Sequence, residues 1–214
     1  MKITYKEVVS NLKKINNLKT KDVDRYNKQL IKERIDVSDL KEYVRNDDLV
    51  HRTYFQVSMG FMDNYQEQLQ FIEDNYLLLN DWWHVDQLTQ FIKGKMDFEY
   101  VYELAKRYIM SEHLFLRRWG YVMFISGLQK DKRYTKKILK LMKDDEEYYV
   151  QMAEAWLICD LAVFNSEEVV NFLKDSKIKY NILGRAIQKM CDSFRISNEV
   201  KETVKGLRKK LKDN

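Results

Sequence analysis

The sequence contains no proline and only six glycines among its 214 residues. β-Sandwiches and barrels of this size need many tight turns, and those turns draw heavily on proline and glycine. Phosphate-binding loops of nucleotide folds likewise need closely spaced glycines. The scarcity of both residues therefore argues against all-β architectures and against glycine-loop nucleotide folds.

Cysteines and long apolar runs are also scarce. The two cysteines, Cys159 and Cys191, stand 32 residues apart and form neither a CxxC motif nor a zinc-ligand pattern, so we expect reduced thiols. No apolar run approaches the roughly 20 residues that span a bilayer. The N-terminal stretch MKITYKEVVSNLKK lacks the apolar core of a signal peptide. These absences predict a cytoplasmic protein with no membrane partner.

Motifs of the common enzyme classes are missing as well. The histidines His51, His84 and His113 are separated by about 30 residues each, which is not a metal-ligand spacing. The motifs GxSxG and HExxH do not occur. We therefore expect neither a metal site nor a cofactor, and no conventional hydrolase, kinase or dehydrogenase mechanism has support in the motifs.

The chain is rich in helical patterning. Hydrophobic residues make up 45% and charged residues 33%, and the apolar positions recur near a 3.6-residue period almost throughout. The breaks are short and polar, which predicts a single domain over residues 1–214. The predicted helical segments are 3–15, 21–33, 38–45, 48–61, 64–79, 83–93, 97–110, 112–127, 131–142, 145–164, 166–174, 179–192 and 198–212.

Many of these segments form consecutive pairs, with a repeat of roughly 30–40 residues. That period is typical of helical-repeat solenoids, which bury one face of each pair and leave an extended concave surface. We therefore predict an all-α helical-repeat solenoid. A compact bundle of similar helices fits the same pattern and stays open as an alternative.

Positive charge is concentrated in the second half of the chain. The net formal charge is +5, and residues 113–143 alone carry nine basic side chains against one acid. At helical spacing, Lys132, Lys136, Lys140 and Lys143 fall on one face. Such a face fits a nucleic-acid partner, and it equally fits an ordinary solvated helix surface.

Three groups of residues are candidates for ligand binding. Trp82 and Asp86 are four residues apart, so a helix that includes both places an aromatic plane and a carboxylate on one face, suited to a cationic ligand. Arg117 and Arg118 stand near a predicted helix start, where paired guanidinium groups can grip phosphates. Trp156 stands on a long apolar helix. The plainer interpretation makes both tryptophans core anchors, and the segments alone favour it.

Four segments carry a resemblance when they are taken in order. They are W-W-H-V-D at residues 82–86, F-L-R-R at 115–118, E-Y-Y-V-Q-M-A-E-A-W-L-I-C at 147–159 and G-R-A-I at 184–187. They resemble the W-D-x-V-D, W-L-x-R, E-[FY]-[FY]-[VI]-Q-K-A-x-x-W-x-L-R and R-[ER]-A-[IL] segments of the DNA alkylation repair proteins of the AlkD type. Those proteins are helical-repeat alkylpurine-DNA glycosylases. The four motifs occur in the family's order on a chain of suitable length, which makes the signal fairly specific.

The resemblance implies a HEAT-like α-α superhelix whose concave basic face cradles double-stranded DNA, working as a monomer without a cofactor. The implied reaction is excision of positively charged N3- or N7-alkylated purines. Asp86 would be the catalytic carboxylate, Trp82 and Trp156 the aromatic walls, and Arg118 a phosphate-side arginine. We expect these four residues to converge on one surface. The expected additional DNA contacts are Arg117, Lys132, Lys136 and Lys140.

The sequence departs from the family pattern at several positions. Cys159 stands where the family usually has arginine, and Met152 stands where it has lysine. Trp83 replaces an acid, and Phe115 replaces a tryptophan. These departures leave two alternatives open beside a glycosylase. One is a degenerate relative that binds DNA without excising bases, and the other is a protein-interaction solenoid.

Overall fold

The computed structural model describes residues 1–212, and this part of the chain is 72% helical with no β-strand. The prediction of an all-α chain is therefore confirmed. The first helices are α1 (Tyr5–Lys13), α2 (Thr20–Lys32), α3 (Asp48–Gly60), α4 (Tyr65–Asp74), α5 (Trp82–Asp86) and α6 (Phe98–Tyr108). They are followed by α7 (Leu114–Val122), α8 (Thr135–Leu139), α9 (Tyr148–Phe164), α10 (Ser166–Asp175), α11 (Tyr180–Asp192) and α12 (Asn198–Lys212).

Short 3₁₀ turns connect or extend several of these helices. They span Ser38–Tyr43, Tyr76–Leu78, Gln87–Gln90, Met123–Ser126, Leu128–Lys130 and Lys132–Tyr134. No helix within residues 1–212 is both long enough and apolar enough to cross a membrane.

Side-chain caps fix where several helices begin. Asp47, Asn64, Asp81 and Asp97 each accept a hydrogen bond from a backbone N–H in the first turn of the helix that follows. Each cap satisfies a donor that would otherwise have no partner within its helix. The Nδ1 atom of His113 does the same for α7, accepting from the N–H of Leu116 at 3.3 Å.

The helices form two compact units, Met1–Lys95 and the chain from Met96 onward. In the first unit, α3 packs against α1 and α2. Its core includes the fully buried side chains of Leu12, Val50, Phe55 and Leu69. The prediction of a single domain over residues 1–214 stays a prediction.

Helix α9 is the centre of the second unit. It packs against α7, α10 and α11, while α6 packs on α7 and α12 packs on α11. Gly120 permits the close approach of α6 and α7, because a Cβ atom there would stand 2.7 Å from the side chain of Ile109. Eleven of the 17 residues of α9 are buried, so it is a core helix rather than an amphipathic surface helix.

The structure shortens several predicted helices. Residues 38–45 form only the 3₁₀ turn Ser38–Tyr43, and residues 83–93 form the end of α5 and the 3₁₀ turn Gln87–Gln90. The predicted helix over 131–142 is broken as well. Residues 131–142 were expected to form a continuous helix, but they form the 3₁₀ turn Lys132–Tyr134 and the short α8, which ends at Leu139. Lys140 and Lys143 therefore lie beyond the helix. The prediction of a single helical face shared by Lys132, Lys136, Lys140 and Lys143 is wrong, because no helix spans all four positions.

Candidate functional site

Helix α5 holds Trp82 and Asp86 on one outward face. Asp81 caps the helix, its Oδ1 accepting from the N–H of Trp82 at 2.6 Å, so the helix includes both residues. The Trp82 side chain is 45% exposed, and Asp86 is half-buried. An aromatic plane and a carboxylate one turn apart thus lie at the surface of the first unit.

The opposite face of α5 is anchored by stacked rings. The buried imidazole of His84 stacks on that of His51 in α3, with ring centroids 3.5 Å apart. Trp83 packs edge-on against both rings. Burial lowers the pKa of His51 to about 2, so this imidazole is uncharged at neutral pH. Three side chains behind α5 therefore fix the direction in which Trp82 and Asp86 point.

Arg52 holds the 3₁₀ turn that follows Asp86. Its side chain is nearly buried, and Nε donates to the carboxylate of Asp24 at 2.8 Å. Nη1 donates to Gln87 at 2.9 Å, and Nη2 donates to Gln90 at 3.1 Å. Sequence reasoning missed this residue. The available signal was that Arg52 is the one lysine, arginine or acidic residue in the sequence between positions 49 and 62.

Trp156 lies on an open stripe of α9. Most residues between 150 and 162 of this helix are buried, but Tyr149, Met152 and Trp156 keep exposed surface. They are spaced i, i+3 and i+7, which is one helix face. We call these three residues the open stripe of α9. Trp156 is half-buried, so it borders a surface rather than filling the core.

The two arginines of α7 are held inside the second unit. Arg118 is only 4% exposed and donates to the backbone oxygen of Tyr149. Arg117 pairs with Asp145 at 2.8 Å and also donates to the backbone oxygens of Ser111 and Glu112. Both guanidinium groups thus position the start of α9 and the loop before it. Direct phosphate contacts by Arg117 and Arg118 stay a prediction.

Cys159 is buried one turn after Trp156 on α9. Burial raises the pKa of its thiol to about 11, so the group is uncharged at neutral pH. The neighbouring Asp160 is paired with Arg195 at 2.7 Å and accepts from Gln129. The structure therefore has no positive charge at position 159 itself.

The three lysines predicted to contact DNA are exposed. Lys132, Lys136 and Lys140 form no ion pair with any residue in the described part of the chain. Lys136 and Lys140 line a cleft of about 650 Å³ between α8 and α10, and its other wall carries Glu168 and Asp175. The lysines are thus available to an anion, although the cleft beside them has mixed charge.

Trp82 and Asp86 belong to the first unit, whereas Arg118 and Trp156 belong to the second. Their convergence on one surface stays a prediction. Within residues 1–212, no group of three or more histidine, cysteine or acidic side chains is placed to hold a metal ion.

Comparison with known proteins identifies the family. The sequence profile of the family described as DNA alkylation repair enzyme matches residues 56–190, which is well over half of the chain. No curated protein and no solved structure matches. The matched range includes α5, both arginines of α7 and the open stripe of α9. The chain therefore belongs to the DNA alkylation repair enzyme family.

Proposed function

We propose that the protein binds duplex DNA and hydrolyses the N-glycosidic bond of cationic N3- or N7-alkylated purines. The observation that carries the proposal is α5, which presents Trp82 and Asp86 together on an exposed face while its other face is fixed by His84 and Trp83. Membership of a DNA alkylation repair family supports the same function.

The chemistry explains why a carboxylate suffices. An alkylated purine departs as a neutral base, which makes it a good leaving group. Cleavage leaves positive charge on the sugar, and the carboxylate of Asp86 stabilises that charge and positions the attacking water. The preorganised direction of Asp86 matters here, because a fixed charge needs no rearrangement as the transition state forms.

The tryptophans supply attraction for the cationic base. The exposed face of Trp82 stands one helical turn from Asp86, so both groups can meet the same nucleotide. A cation over an indole face gains about 0.5–2 kcal/mol, depending on how well water is excluded. We assign Trp156 on the open stripe of α9 to a second wall of this site.

The proposal also includes the arrangement of the helices and their contacts with the DNA backbone. We infer that the helical pairs form HEAT-like repeats in a solenoid with a concave basic face, acting as a monomer. Lys132, Lys136 and Lys140 then contact the phosphate backbone, which supplies affinity without reading sequence.

Base release measures the role of Asp86. The Asp86→Asn variant keeps the shape but removes the charge, and we expect it to bind duplex DNA normally while releasing 7-methylguanine at least about 100-fold more slowly. Asp63→Asn, at an exposed position outside α5, is the matched control and should release base at the wild-type rate. Equal rates for Asp86→Asn and wild type would remove Asp86 from the mechanism.

A second candidate function is a non-catalytic DNA-binding relative on the same scaffold. The buried, uncharged thiol of Cys159 favours it, because the family usually has a cation at that position. Wild-type protein that binds duplex DNA but releases no alkylated base would select this candidate.

A further inference from the structure

Exposed aromatic rings are concentrated where α9 begins. The side chains of Tyr148 and Tyr149 are 54% and 39% exposed. Phe115, on α7, is half-buried beside them. Soluble proteins usually bury most of such rings, and a rimmed cluster that stays exposed marks an interaction site. Neither catalysis nor the phosphate contacts proposed above use these rings.

The rings form one continuous surface with a cation. Tyr148 and Tyr149 meet edge to face with centroids 5.4 Å apart, and Phe115 lies 5.9 Å from Tyr149. The guanidinium of Arg185 lies over the Tyr148 ring at 4.7 Å. We call Phe115, Tyr148, Tyr149 and Arg185 the tyrosine platform.

The platform is held in place rather than loosely attached. Arg118 donates to the backbone oxygen of Tyr149 from the buried side. Two of the four acids just before α9 are in ion pairs, Asp145 with Arg117 and Glu146 with Lys179, whereas Glu147 is exposed. The two pairs reduce, without removing, the negative charge that a strand of DNA meets next to the rings.

We propose that the tyrosine platform stacks an unpaired, uncharged nucleobase of the bound DNA. This inference rests on the proposed function, since it takes DNA as the ligand. Aromatic faces stack on any base, because every base has a π-face. Arg185 already covers Tyr148, and its charge repels a cationic alkylated base. The platform therefore favours a neutral base, such as one that has lost its pairing partner, rather than the alkylated base itself.

The position of the platform fits a strand that passes the excision site. Tyr149 and Trp156 share the open stripe of α9, and seven residues of helix separate them by about 10.5 Å. That distance is about three steps of 3.4 Å along one DNA strand. A strand that contacts Trp156 thus reaches the platform about three nucleotides away.

Fluorescence anisotropy with three otherwise identical short duplexes tests the proposal. One duplex is fully paired, one has a single bulged adenine, and one has a bulged abasic nucleotide at the same place. We expect wild type to bind the adenine bulge about tenfold more tightly than the abasic bulge, because stacking of one base is worth this much. Both bulges bend the backbone, so the comparison isolates the base.

Variants test whether the tyrosine platform causes the preference for the adenine bulge over the abasic bulge. Tyr148→Ala with Tyr149→Ala should abolish it and leave affinity for the paired duplex unchanged, whereas the two Tyr→Phe changes should retain it. Tyr100→Ala, at an equally exposed tyrosine on α6, is the control and should also retain it. Equal wild-type affinity for both bulges would overturn the platform while leaving duplex binding in place. Failure to bind any of the duplexes at low salt would overturn both the platform and the proposed function.

Discussion

At the scale of single residues, Glu154 is the buried acid with the largest consequence for stability. Its side chain is fully buried on α9, and Oε1 accepts from the backbone N–H of Lys143 at 2.6 Å. Burial is the main cause that raises the pKa of this carboxyl from 4.5 to about 8. The group is therefore mostly protonated at neutral pH.

Glu154 should make the protein less stable as pH rises. Because the pKa is higher in the folded state, the folded protein holds a proton that the unfolded chain releases above pH 4.5. Its contribution is therefore lost between pH 4.5 and about 8, and it amounts to at most about 5 kcal/mol. Urea unfolding of Glu154→Gln should show a flatter pH dependence than wild type and a higher stability at pH 9. Glu167→Gln, at an exposed site on α10, should leave the wild-type pH dependence unchanged, and an equally steep Glu154→Gln curve would contradict the assignment.

Spacing along one helix is visible in a sequence, whereas pairing across the fold is not. The four-residue interval between Trp82 and Asp86 was enough to predict a shared face, and α5 includes both residues. Arg52 and Glu154 were missed, because their partners lie at distant positions in the chain: Asp24, Gln87 and Gln90 for Arg52, and Lys143 for Glu154. Composition gives no hint of such pairs.

At the scale of elements, the Arg52 side chain joins α3 to the turn after α5. Arg52→Lys keeps the charge but loses the planar fork that reaches Asp24, Gln87 and Gln90 together. We expect a loss of about 2–3 kcal/mol in the free energy of unfolding, because the buried oxygen of Gln87 is left unpaired and the ion pair with Asp24 is weakened. The matched control is Arg25→Lys, at a 76% exposed side chain paired with Asp22, which should cost less than about 0.5 kcal/mol. Equal losses of unfolding free energy for Arg52→Lys and Arg25→Lys, measured with urea, would show that the planar fork of Arg52 does not contribute to stability.

Tertiary contacts explain where the predicted helices and the structure differ. The predicted segment 131–142 ends early as a helix, because Tyr121 donates to the backbone oxygen of Leu141 and Glu154 accepts from the N–H of Lys143. These side chains take up backbone groups that a longer helix would have used. The long helix α9 was predicted well, because an apolar stretch of this length without glycine or proline is too long for a buried strand and favours a buried helix.

At the scale of the whole molecule, part of the excess positive charge is neutralised by acidic side chains of the protein itself. Of the basic residues in 113–143, Arg117 pairs with Asp145, Arg133 with Asp131, and Lys137 with Glu99. The sequence predicted the excess of positive charge in residues 113–143. It did not predict which of these cations are paired, because Asp145 and Glu99 lie outside that segment. Lys132, Lys136 and Lys140 have no such partner in the described part of the chain.

Salt dependence of DNA binding tests whether these lysines face phosphates. Each neutralised phosphate contributes about 0.9 to the slope of log affinity against log salt concentration. Reversing both charges with Lys136→Glu and Lys140→Glu should therefore weaken duplex binding about equally for all sequences and reduce the slope by about two. The control reverses two exposed lysines that are already paired within their own helices, with Lys106→Glu and Lys205→Glu, and thus makes the same change in net charge. If both double variants reduce the slope equally, net charge alone drives binding, and Lys136 and Lys140 do not contact the backbone.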